Sequence, residues 1–157
     1  MLPGPGIVRD PGLSFVTDLP RELLALWVSL CVDGRLPRRS DFDFARLRRH
    51  LGWLCVVEVV DEGADFRYRL IGTNIVDRVG RDMSGRLVSQ VLPASALDIF
   101  RDAMHERAAV RTHGPVSWRG KGFLRHETLI LPLADDGRTV DRFLVEMVFP
   151  DMPVAKD

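Results

Sequence analysis

WLCVVEVVDEGADFRYRL, residues 53–70, carries the reading of the fold. Trp53-Leu54-Cys55-Val56-Val57-Glu58-Val59-Val60 is apolar everywhere except Glu58, the pattern of a strand covered on both faces and so placed inside a sheet. Asp61-Glu62-Gly63 has turn chemistry. Phe66-Arg67-Tyr68-Arg69-Leu70 alternates apolar and basic residues, as a strand with one wet face does. A link this short joins antiparallel neighbours, so the two strands form a hairpin.

Downstream, glycines at 72, 80 and 85 break the chain, and Ile75, Val76 and Val79 between them suit one short helix. Pro93 stands near the start of a longer helix, expected to run to about Arg111, whose stripe is Leu97, Phe100, Met104 and Ala108. Gly114-Pro115 is read as its terminator. The last third reads as strand: Val116 to Trp118, a turn at Gly120-Lys121-Gly122, Glu127 to Leu133, a hairpin dipeptide at Asp136-Gly137, and Val140 to Phe149. Upstream, Asp18 and Pro20 open a helix carrying Leu23, Leu24, Leu26, Trp27, Leu30 and Cys31, and Gly34 follows it. Ser40 or Asp41 is the expected cap of a short helix bearing Phe44, Leu47 and Leu51. Residues 1–17, rich in Pro and Gly, read as a flexible arm, residues 18–150 as one domain and residues 151–157 as a frayed tail. The expected architecture is α+β: a five-stranded antiparallel sheet, helices crossing one face, and an N-terminal amphipathic helix.

The 157 residues are the length of one domain. Lys+Arg and Asp+Glu both number 22, and this zero balance argues against a general nucleic-acid or membrane-surface binder. No apolar run reaches membrane-spanning length, and MLPGPGIVRD lacks the build of a signal peptide. Cys31 and Cys55 lie in apolar segments and read as buried reduced thiols, so a cytoplasmic protein is expected.

The element order matches the PAS fold. LLALW (23–27), GRLPRRSDFD (34–43), LRRHL (47–51), FRYRLIGT (66–73) and GRDMSGR (80–86) resemble the short, single-domain PAS-like family common in alphaproteobacteria, over roughly residues 20–150. The resemblance implies a sensory or interaction module of bacterial signal transduction. It implies no particular ligand, because a fold does not fix a function. The Asn-Cys-Arg-Phe-type motif of flavin-binding PAS families is missing, which disfavours flavin adduct chemistry.

By position in that fold, Tyr68, Leu70, Ile75, Val79, Phe100, Met104, Trp118 and Thr128 are the candidates to line a ligand pocket; the alternative is a filled core. Haem is disfavoured as cofactor, since a helical wheel turns His105 away from the apolar stripe of the long helix. No histidine pair has zinc-ligand spacing. No catalytic constellation converges: GxSxG and HExxH are missing, His126 and Glu127 face opposite sides of a strand, and Asp135-Asp136 suit a turn. No enzyme is expected.

Arg35, Arg38, Arg39, Arg46, Arg48 and Arg49, against Asp41 and Asp43, are either a solvated face or a docking patch for an acidic partner. The Leu23–Cys31 helix must cover an outer sheet face, within one subunit or across a homodimer. Leu23, Trp27, Leu30, Arg46, Arg48 and Arg49 are accordingly the candidate partner or dimer surface. The expected function is a regulatory module that binds a small ligand, a signalling partner or both. The alternative is a ligand-free adaptor that uses residues 35–49 or the outer sheet face, and a haem sensor is a weaker one.

Overall fold

The computed structural model describes residues 7–115 and 125–150. Its elements are β1 (Val8–Asp10), α1 (Asp18–Leu30), α2 (Phe44–Leu47), β2 (Leu54–Val60), β3 (Asp65–Ile71), α3 (Thr73–Val79), α4 (Ala94–Glu106), β4 (Val110–Pro115), β5 (Arg125–Leu133) and β6 (Arg142–Val148), with short 3-10 turns between them. The strands form one antiparallel sheet in the order β1-β4-β5-β6-β2-β3. The near-continuous apolar run of β2 therefore lies inside the sheet, between β6 and β3.

Three expectations change. The sheet has six strands, not five, because Val8–Asp10 pairs with β4. The stretch expected as a free arm is thus structured from that strand onward. Arg9 fixes the strand with ion pairs to Asp102 (3.3 Å) and Glu106 (2.8 Å) on α4. The long helix stops at Glu106, where Arg107 turns left-handed (φ 53°) and its N–H caps the carbonyl of Ala103. Val110–Pro115 is then a strand paired with β5. The β-branched Val110 and Thr112 prefer the sheet, and the gain of a full ladder overrides the helical pattern. The short helix is capped by Asp43, whose carboxylate accepts the Ala45 N–H, and not by Ser40 or Asp41. The expected strand at Val116 to Trp118 and the turn at Gly120-Lys121-Gly122 lie outside the described residues, as does the 151–157 tail.

The sheet has two differently dressed faces. On the inner face α4 packs against β3 and β5, and Phe66, Phe100 and Phe143 meet with ring centroids 5.1–5.8 Å apart. On the outer face α1 lies across β5. Leu23 is fully buried there, a contribution of about 2 kcal/mol from its side chain alone. The Trp27 indole N–H donates to the Pro132 carbonyl at 3.0 Å. Leu23 and Trp27 are therefore core residues of this subunit and not a free dimer surface. The helix that a two-faced sheet required is supplied by the chain itself. Among the described residues no helix is long and apolar enough to cross a membrane.

Candidate functional site: an uncharged cavity under the long helix

A cavity of about 80 Å³ lies between the inner sheet face and α3 and α4. Of the residues expected to line it, Tyr68, Ile75, Phe100 and Thr128 do so. Val79 is buried beside Ile75 and Phe149 in a separate small cluster. Met104 packs at the far end of α4, against Gly63. Trp118 lies outside the described residues. Leu70 faces the other way and is 64% exposed.

The reason for Leu70 is a bulge. Val57 pairs with Tyr68 while the preceding Val56 pairs with Leu70, so Arg69 has no partner of its own across the ladder. The extra residue reverses the alternation, and Tyr68 points in while Leu70 points out. From sequence alone the clean alternation of residues 66–70 placed both on one face.

The cavity is walled largely by apolar side chains from α4 and the sheet, with a polar edge on β3, β4 and β5. That edge is Tyr68, Thr112, His126 and Thr128. His126 Nδ1 lies 2.9 Å from Thr128 Oγ1. Residues 126, 128 and 130 all face inward, as period-two geometry demands. His126 is the lining residue that the candidates by position leave out; it stands two residues from Thr128 on β5, so the same pleat turns it inward.

No group on this lining is charged at neutral pH. Burial, helped by the positive field of His113 and Arg125, holds the His126 imidazole down at about 4. Burial pushes the Cys55 thiol up to about 12 and the Tyr68 phenol well above its ordinary value. The site can donate and accept hydrogen bonds but has no fixed charge to offer an ion.

The next residue along β5 faces the other side. Glu127 accepts the N–H groups of Val16 (2.9 Å) and Thr17 (3.1 Å), and the Thr17 hydroxyl, at the entrance to α1. It is also gripped by Arg111 of β4, which pairs in turn with Asp10 of β1 at 3.0 Å. Burial acts to raise the Glu127 pKa, but the Thr17 hydroxyl, the Val16 amide and Arg111 outweigh it and hold it below the ordinary value. A second buried carboxylate, Glu146, receives His50 Nδ1 at 2.6 Å. Burial raises its pKa, with His50 working against the rise.

The remaining candidates are dispersed. Arg46, Arg48 and Arg49 are exposed, and Arg49 pairs with Glu22 at 2.8 Å. Leu30 is half-buried against the core. His105 is exposed.

A family model described as PAS domain matches residues 18–148. The chain belongs to the PAS domain family. The matched residues hold every element from α1 to β6, and β1 lies upstream of them at the sheet edge. Among the solved structures similar to it is an RNA-binding light-oxygen-voltage receptor, at 16% identity and a TM-score of 0.47. The match covers 76% of this chain and 37% of that one, so the PAS module spans well under half of that receptor's length. No curated protein matches.

Proposed function

We propose that this PAS module is a cytoplasmic sensor without catalysis of its own, whose signal is a small, neutral, largely apolar molecule held in the cavity under α4. The observation that carries the reading is the uncharged polar edge: Tyr68, His126 and Thr128 offer hydrogen bonds while every titratable group there is held neutral. Apolar walls with a few convergent polar groups are what a small-molecule site requires. At about 80 Å³ the cavity takes a fragment-sized molecule, and a larger one requires α4 to shift.

The output in this reading is a population shift at α1. His126 and Thr128 face the ligand, and Glu127 between them holds the Val16 and Thr17 amides. A ligand that repositions β5 changes how firmly the start of α1 is held. The free thiols Cys31 and Cys55 suit the reducing compartment.

The test is native mass spectrometry of the purified protein, together with thermal melting in the presence of neutral aromatic and aliphatic fragments. Ala96→Leu, which fills the cavity from α4, is the comparison. The expected result is a retained or stabilising neutral molecule on the wild type that the variant rejects. A wild type that retains nothing, and that no fragment stabilises more than the variant, overturns the reading.

A further inference from the structure

The bulge that turns Leu70 out of the cavity leaves an unusual surface on the opposite side of the sheet. Leu70 and Val56 are cross-strand partners on the outer face. With Val59 they form the apolar part of a groove of about 550 Å³ whose rim holds Arg39, Arg69 and Arg142 alongside Glu58 and Asp141. An exposed leucine in a strand next to a half-buried valine is costly surface to leave in water, by about 25 cal/mol per Å².

The charges of the rim are unevenly matched. Arg142 is satisfied by Asp141 (2.9 Å) and Asp135 (3.0 Å). Glu58 serves both Arg67 and Arg69, each at a loose 3.6 Å. Arg39 has no carboxylate partner among the described residues. The groove thus carries three guanidiniums against two carboxylates, Glu58 and Asp141, a balance of +1 that rests on Arg39. Contacts of 3.6 Å between exposed groups are weak and exchange readily for a better-aligned carboxylate. Arginine forks are suited to receive one bidentately.

We infer that this groove is a docking site for an acidic segment of a partner protein, one that lays an apolar side chain between Val56 and Leu70 and sets flanking carboxylates on Arg39 and Arg69. Charge complementarity selects this occupant. The apolar floor distinguishes it from a surface that merely attracts anions, and the groove's position behind the sheet makes it independent of what fills the cavity.

The probe is a fluorescein-labelled peptide, DEDLFEDE, with two controls: its acids replaced by lysine, and its Leu-Phe replaced by Ser-Ser. Binding is read by fluorescence anisotropy and mapped by amide shifts at Val56, Arg69 and Leu70. The expected result is binding that weakens from about 50 to about 300 mM salt and that drops about tenfold in each of Leu70→Ser and Arg69→Glu. Neither control should bind comparably. Melting temperatures of these two surface variants should match the wild type. Equal binding of the Ser-Ser peptide, or binding that both variants retain, overturns the proposal. So does a dimer in native mass spectrometry that Leu70→Ser dissociates, since the occupant is then a second copy. Association with phosphatidylserine vesicles in preference to the peptide overturns it as well.

Discussion

Arg111 grips Glu127 from the neighbouring strand, with Nη2 at 2.6 Å and Nε at 3.0 Å from the same carboxylate oxygen. The pair joins four elements, since Asp10 of β1 holds the other side of the guanidinium and the entrance to α1 hangs from the carboxylate. Removing the Glu127 charge leaves the buried Arg111 guanidinium with Asp10 as its one ion-pair partner among the described residues. Glu127→Gln should destabilise the fold by about 3 kcal/mol in urea titration. It should also speed hydrogen exchange at the Val16 and Thr17 amides. A loss below about 1 kcal/mol would show that water reaches Arg111 freely.

Acid should destabilise the protein well above the carboxylate range. The unfolded chain protonates His126 near 6.5, the folded one only at about 4. Between those values the unfolded state holds more protons, so the stability due to His126 is fully present above pH 6.5 and is lost as pH falls toward 4. The slope is about 1.4 kcal/mol per pH unit and the total about 3 kcal/mol. Glu146, raised by burial, acts with opposite sign, gaining as pH falls. The difference between wild type and His126→Asn isolates the histidine. That difference should shrink steadily from pH 7 to pH 4.5; a constant difference refutes the assignment.

Gly72 should not tolerate a side chain. Its N–H donates to the Leu54 carbonyl at 2.7 Å, and a Cβ there would lie 2.2 Å from the Gly52 carbonyl oxygen. Both neighbours are backbone, so nothing flexible can yield. Gly72→Ala should cost more than about 2 kcal/mol in thermal or urea unfolding, although alanine is otherwise acceptable at a helix entrance. Wild-type stability would mean that the approach of residues 52 and 72 is looser than described.

Trp27→Phe keeps the ring and deletes the hydrogen bond to Pro132. The expected loss is about 1 kcal/mol, plus a little packing. Because the indole is internal to the subunit, the variant should leave the oligomeric state unchanged in sedimentation analysis. A change in assembly would place α1 at an interface after all.

The hairpin at residues 53–70 declared itself because apolar runs and turn residues obey local rules. So did α1, α3 and the Asp136-Gly137 turn. Residues 110–115 escape the sequence reading because a short polar-apolar mix is decided by its ladder partner, which lies 10 to 20 residues away on β5. Val8–Asp10 was missed for the same reason: three residues among prolines and glycines become a strand only when β4 is beside them. Within the site, position in the fold gives Tyr68 and Thr128, and the pleat adds His126. Leu70 was lost to one unpaired residue, a feature that alternation alone does not record. That the leucine-rich helix would cover the outer face was legible. That it does so within its own subunit was not, since composition is blind to which copy supplies the cover.

Ile7 reaches the cavity wall, the three residues after it complete one border of the sheet, and Arg9 ties that border to α4. A chain shortened to begin after residue 10 loses all three at once. The backbone donors and acceptors of β4 at Arg111–His113 would then stand open along an untreated border, the arrangement that invites strand-to-strand joining between molecules. Trimming the proline-rich leader to tidy the protein for crystals or spectra would therefore yield aggregates, because three inconspicuous residues act as its guard against them.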